Sequence, residues 1–253
     1  MSDDPRFMVG MTRAELDRAE AGDRALGRGP ARPVDSASLI LIDRRGGIPH
    51  VLMGRRSSRH AFMPGKFVFP GGRTDPGDSR IRPASELEQA ETAKLTSTPG
   101  RRISAARARA IALSAVRELY EEAGYLIGSP GQLRTRSPGW SDFMRNGLAP
   151  ALSPLRFVAR AVTPPGRLRR FDTRFLAAPA SAVALQLDQP TEELEELAWL
   201  PLPEALEADI PGITRVILQE LVLRLKSDPQ LRPGGTPVPS LIFRAGRFQR
   251  SAT

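Results

Sequence analysis

Arg117-Glu118-Leu119-Tyr120-Glu121-Glu122-Ala123-Gly124 is the stretch on which the reading of this chain turns. Ser104 can cap a helix running to Ala123, and Gly124 stands where a helix-ending glycine belongs. Ala112, Val116, Leu119 and Ala123 repeat at helical spacing and predict a stripe that faces a core. Glu118 and Glu122, four apart, border that stripe and project together at its edge, while Glu121 lies further round, within reach of Arg117. Stability alone disfavours this. Three carboxylates in the last two turns face the negative end of the helix dipole, at roughly 0.3–1 kcal/mol each. A divalent cation between Glu118 and Glu122 would reverse the sign of the repulsion. The bland alternative is a solvated acidic face. Pro70-Gly71-Gly72 weighs against it, because glycines permit a tight bend whose carbonyl can serve as a further oxygen ligand.

Composition narrows the choices. The chain has 253 residues, 40% hydrophobic and 26% charged, enough for one generous domain or two small ones. The absence of cysteine excludes a disulfide scaffold and thiol catalysis. With only His50 and His60, a His-rich zinc site is excluded as well, so a metal must be held mainly by carboxylates and carbonyls, which points to Mg²⁺ or Mn²⁺. No apolar run approaches the roughly 18 residues of a membrane span. The start, Met1-Ser2-Asp3-Asp4, is acidic where a targeting peptide would be basic, so a cytoplasmic protein without a membrane partner is expected.

The net charge of +9 comes from 34 arginines and three lysines, a skew that makes it weak evidence for nucleic acid. Aromatic residues at 6% offer few stacking platforms, which also argues against a nucleic-acid partner. Distribution says more. Residues 131–174 carry nine arginines against Asp142 and Asp172, a local field suited to a small polyanion.

Along the chain, residues 1–35 read as a flexible arm with a helical stretch around Thr12–Ala25. A β-hairpin fits Ala37–Asp43 and His50–Arg55, followed by a short strand at Lys66–Phe69. Beyond the acidic helix, strands fit Tyr125–Ile127, Leu155–Val162, Phe171–Ala177, Ala182–Leu187 and Leu197–Leu200. Helices fit Ser141–Asn146, Pro203–Ala208 and Ile213–Leu225, with Leu241–Phe243 as a last edge strand. Such interleaving predicts a single α/β or α+β domain over 36–228, with a tail at 229–253.

At this point the chain resembles the Nudix hydrolases, whose box reads Gly-x5-Glu-x7-Arg-Glu-U-x-Glu-Glu-x-Gly-U, U being bulky and apolar. Arg117, Glu118, Leu119, Glu121, Glu122, Gly124 and Tyr125 match its second half, and Gly72 its start. Asp78 stands where the box has Glu, and 38 residues rather than seven separate it from Arg117. That long spacing resembles the animal peroxisomal subgroup that splits coenzyme A. So do Phe62-Met63-Pro64 and Val68-Phe69-Pro70-Gly71-Gly72. Leu52, Arg56, Ser57 and Gly65 also fall in register with that subgroup's extra motif, while Gly54 and Ala61 depart from it.

The resemblance implies an α/β/α sandwich with a mixed sheet between helices and a helical insertion, 79–103, inside the box. It implies hydrolysis of a nucleoside diphosphate linked to another moiety, coenzyme A or a derivative among the candidates. ADP-ribose, NADH or dinucleoside polyphosphates are alternatives, as is a catalytically silent nucleotide-sensing module. Carried over residue by residue, Glu118 and Glu122 would be the principal metal ligands and Glu121 would hold a further metal or its water. Arg117 would orient the glutamates, and the Gly71 or Gly72 carbonyl would complete the shell. A loop carboxylate serves as base in such enzymes, and Glu193 is the choice here. Arg55, Arg56, Arg59, Arg169 and Arg170 are the candidate contacts to substrate phosphate. Substrate identity, the role of the insertion and the oligomeric state, a homodimer included, stay open.

Overall fold

The computed structural model describes residues 7–19, 32–57, 64–98, 100–167 and 169–252. In chain order the elements are α1 (Arg13–Ala19), β1 (Val34–Arg45), β2 (Ile48–Arg56), β3 (Phe67–Val68), β4 (Gly71–Arg73), α2 (Gln89–Thr96) and α3 (Ala105–Ala123). Then follow β5 (Tyr125–Pro130), α4 (Ser141–Arg145), β6 (Leu148–Pro150), β7 (Arg156–Val162), β8 (Phe171–Pro179) and β9 (Val183–Gln186). The chain closes with β10 (Leu194–Pro201), α5 (Leu202–Glu207), α6 (Gly212–Ser227), β11 (Pro239–Arg244) and β12 (Arg247–Ala252).

A mixed sheet runs β10-β2-β1-β8-β7-β11-β12, with β3 on β2 and β4 on β1; β5, β6 and β9 form a smaller sheet. The β1–β8 and β7–β11 pairs are parallel. The large sheet is buried on both faces. Leu39, Leu41, Phe157 and Leu176 pack against α3 on one side, and Ile40, Val51, Val158 and Ala177 pack against α6 on the other. This is the helix–sheet–helix sandwich the resemblance implies.

Helix α3 lies flat on β1 because its inner face is small: Ala108, Ala112, Ala115 and Val116 are fully buried. Ser104 caps its start by accepting from the Arg107 N–H at 3.2 Å. Gly124 ends it at φ 78°, donating to the Tyr120 carbonyl, with the Leu187 carbonyl so close that any side chain would collide.

Two boundaries differ from the sequence reading. Residues 7–19, expected in a flexible arm, bury Met8 and Leu16 in the α6-side core. The expected C-terminal tail supplies the β11–β12 hairpin, which extends the large sheet from β7. In both, alternate apolar residues find a surface that only the assembled sheet and α6 provide. The insertion is also docked. Glu91 on α2 is fully buried, where its carboxylate accepts from Phe157 N–H at 2.7 Å and Gly234 N–H at 3.0 Å.

Candidate active site

The last two turns of α3 bring the carboxylates against β4. Antiparallel pairing sets Gly71 opposite Ser38 and Gly72 opposite Ala37, which turns the glycine bend toward the helix. Glu122, 2% exposed, accepts the Gly71 N–H at 2.8 Å. A methyl group at Gly72 would fall 2.5 Å from the Glu118 carboxylate, so any side chain here would displace that carboxylate from its place against the glycine bend.

Arg117 organises the cluster from beneath. Its Nη1 donates to Glu118 Oε1 at 2.8 Å and to Glu121 Oε2 at 2.6 Å. Its Nε and Nη2 reach the two oxygens of Asp78 at 3.0 and 3.2 Å. Asp78, 1% exposed, also accepts the indole N–H of buried Trp140 at 3.1 Å. The aspartate that departs from the box therefore holds Arg117 directly. Trp140 packs against Phe143 as well as donating.

One arginine does not neutralise this much acid. Burial pushes the Glu118 carboxyl up to about 7, with Arg117 working against the rise and Glu121 and Glu193 adding to it. Burial raises Glu121 too, opposed by Arg117. Glu122 lies well above the usual carboxylate range, first through burial and then through Glu118, with the Gly71 N–H opposing. Burial disfavours the Arg117 charge, but Asp78 and Glu118 outweigh it and its pKa rises.

The carboxylates form one wall of a cleft of about 660 Å³. Gly71, Gly72, Glu118, Glu121, Glu122, Arg56 and Glu193 line it, and Arg169 and Arg170 line it further along. Arg56 Nη2 lies 3.7 Å from Glu193 Oε2. Arg55 is not among the lining residues. It pairs with Glu196 at 2.7 Å, donates to the Gly65 carbonyl and lies over the Phe67 ring. Consecutive strand residues point to opposite faces, so Arg55 and Arg56 could not both enter the cleft. Arg59 lies outside the described residues. The positive field expected over 131–174 is divided. Arg160 and Arg174 are buried on Asp172, Arg145 pairs with Asp142, and Arg156 donates to backbone carbonyls.

Sequence reasoning missed the Asp78–Trp140 support, since a hydrogen bond across 62 residues leaves no local signal. It also missed the hydroxyls of Ser36, Ser38 and Thr173, which line the cleft from β1 and β8. Their alternation with buried neighbours would have marked one strand face.

The donor set fits a hard divalent cation. It offers carboxylates and glycine carbonyls, and burial and mutual repulsion have raised the carboxylates' proton affinity, a penalty a cation would relieve. Among the described residues no three acidic or histidine side chains converge on a common point as they stand. Arg117 spans Glu118 and Glu121, and the Gly71 N–H holds Glu122.

No family model matches the chain, and no curated protein does. Among solved structures it is similar to a Nudix hydrolase from Alicyclobacillus acidocaldarius, with 26% identity and a TM-score of 0.57 over 76% of this chain and 92% of that one. Weaker likenesses include the Nudix domain of Shewanella oneidensis NrtR in complex with ADP ribose, with 14% identity, a TM-score of 0.43 and coverage of 85% and 99%. Another is the M. Smegmatis Nudix hydrolase RenU, with 15% identity, a TM-score of 0.42 and coverage of 87% and 97%. The first likeness supports the Nudix superfamily and, with it, a hydrolase acting on diphosphate bonds. No helix of the described residues is long and apolar enough to cross a membrane.

Proposed function

We propose that the cleft is the active site of a Nudix diphosphatase that uses Mg²⁺ or Mn²⁺ to hydrolyse a nucleoside diphosphate linked to a second moiety. One observation carries this reading: three glutamates and the Gly71–Gly72 bend share one wall with more negative charge than Arg117 cancels. Glu118 and Glu122 would hold the ion with the Gly71 or Gly72 carbonyl, and Glu121 would extend the shell. When bound, the ion neutralises the non-bridging oxygens of the diphosphate.

The remaining work falls to the chain. Arg117, fixed by Asp78, keeps Glu118 and Glu121 in register. Glu193 accepts the proton of the attacking water at its carboxylate. Its side chain is 45% exposed at the cleft and its neighbour Arg56 keeps it in reach, which suits a group that must exchange protons with solvent. Arg56 offers a cation to the phosphate oxygens as the bridging P–O bond breaks. Two phosphate-bearing products leave.

Coenzyme A or a derivative is the favoured substrate, on the strength of Leu52, Arg56, Ser57 and Gly65 in their register. The test is a panel of coenzyme A, ADP-ribose, NADH and dinucleoside polyphosphates, run with Mg²⁺ and with Mn²⁺ and read by product identity. Cleavage of coenzyme A at its diphosphate is expected. Preferred cleavage of another member reassigns the substrate, and binding without metal-dependent products makes the chain a silent sensor.

A further inference from the structure

The cleft has a second end that the chemistry above does not use. Ser38 on β1 pairs with Gly71, and Val34, four residues earlier on the same strand, donates its N–H to the Arg170 carbonyl at 3.0 Å. Four residues of strand at roughly 3.3 Å each put about 13 Å between the glycine bend and the Arg170 backbone. A single diphosphate linkage held at the glutamates does not span that distance, whereas a group on the distal half of a dinucleotide-sized substrate does.

The far end is braced by α1 and β12, parts of the chain outside the 36–228 stretch expected as the domain. On α1, Asp17 Oδ1 takes Arg13 Nε at 2.8 Å and Arg167 Nη1 at 3.0 Å. The Arg13 guanidinium lies against Gly166. Both contacts brace the loop between β7 and β8 that presents Arg169 and Arg170 to the cleft. The segment before α1 is fixed to β12, with Gly10 N–H on the Phe248 carbonyl at 2.8 Å and Phe248 N–H on the Met11 carbonyl at 2.9 Å. Met8 and Phe248, each 2% exposed, complete the apolar wall there. Four guanidiniums thus gather near this end. Burial lowers the Arg170 pKa from its ordinary value, and the charge of Arg13 adds to the fall.

We propose that this end is a second anion subsite, taking a phosphomonoester on the distal half of the substrate. Arg169 and Arg170 are its contacts, and Asp17 is the positioning residue that holds their loop through Arg167. The identity of the substrate as a diphosphate rests on the function proposed above; the subsite itself does not.

Matched pairs that differ by one ribose phosphate test it: NADPH against NADH, and coenzyme A against dephospho-coenzyme A, for KM and kcat. Adenosine 3′,5′-bisphosphate, the adenosine fragment of coenzyme A, against AMP, titrated calorimetrically in EDTA, tests it without turnover. A preference of about tenfold for the phosphorylated member is expected, the scale of one charge-assisted hydrogen bond. The ratio should fall to near one in the Arg169→Gln/Arg170→Gln double variant and stay high in Arg170→Lys. Asp17→Asn should lower it through KM rather than kcat, which a general loss of stability would not do. Equal binding of AMP and the bisphosphate by the unmodified protein, or a preference that survives the double variant, overturns the proposal. If the bisphosphate preference holds but no diphosphate is cleaved, the catalytic reading fails and the subsite stands. If the pairs are cleaved with equal KM, the reverse is true.

Discussion

At the two ends of α3 the sheet buries ion clusters of opposite make. At its start, Asp35 and Asp172, each about 2% exposed at the side chain, are surrounded by Arg101, Arg107, Arg160 and Arg174 at 2.7–3.1 Å. At its finish, among the described residues, Glu118, Glu121 and Asp78 share one cation, Arg117, while Glu122 has a backbone N–H as its hydrogen-bond donor. The consequences differ in sign. Burial works against the Asp172 charge, but Arg160 and Arg174 outweigh it and hold its carboxyl below the ordinary value. Across the helix, burial and neighbouring carboxylates push Glu118 and Glu122 up. Buried charge that is matched within the fold serves the fold. Buried charge left unmatched is where an external ion or substrate gains most.

Breaking the matched cluster should cost the most. Asp172→Ala leaves Arg160 buried without its carboxylate and Arg174 with Asp35 alone, and is expected to lose about 3–5 kcal/mol of stability, read by denaturant unfolding. Because the folded pKa of Asp172 is depressed, its contribution is present above the unfolded value and is lost as pH falls through the folded one. The unsubstituted protein should therefore weaken below its ordinary value of 3.8. Stability of Asp172→Ala equal to that of the unsubstituted protein would remove the contrast between the clusters.

The unmatched cluster should respond in the opposite way. Glu122→Gln removes like-charge repulsion, so the melting temperature should hold or rise, while turnover falls by about 100- to 1,000-fold, the scale of deleting one preorganised electrostatic group. A large loss of stability would show instead that Glu122 belongs to the architecture. The smallest effect sharpens the comparison at the helix itself. Ser104→Ala should cost about 1 kcal/mol through the lost N-cap and leave kcat unchanged, because the cap lies at the opposite end of α3 from the glutamates.

Much of this was legible along the chain. The period of α3, its Ser104 and Gly124 ends, and the Arg117–Glu121 contact all lie within one helix, where spacing fixes geometry. The long strands followed from their β-branched and aliphatic runs. What could not be read depends on pairing between distant segments. β4 is three residues whose strand character comes from lying beside Ser36–Ser38. Arg55 and Arg56 are indistinguishable by type, and only the pairing of β2 with β3 and β10 decides which one meets the cleft. The chain ends looked expendable because their apolar residues are few, yet Met8 and Phe248 find partners in each other's neighbourhood. The arginine-rich 131–174 stretch misled for a related reason. Charge counted along the sequence takes no account of Asp35, which meets Arg174 across 139 residues.

The central claim is that the finish of α3 grips a divalent cation beside the Gly71–Gly72 bend. Electron paramagnetic resonance of free Mn²⁺, titrated with the unmodified protein and with the Glu118→Gln/Glu122→Gln variant, addresses it without assuming a substrate. The free-ion signal should fall with the unmodified protein and persist with the folded variant. Equal uptake of Mn²⁺ by both, or none by either, would contradict it.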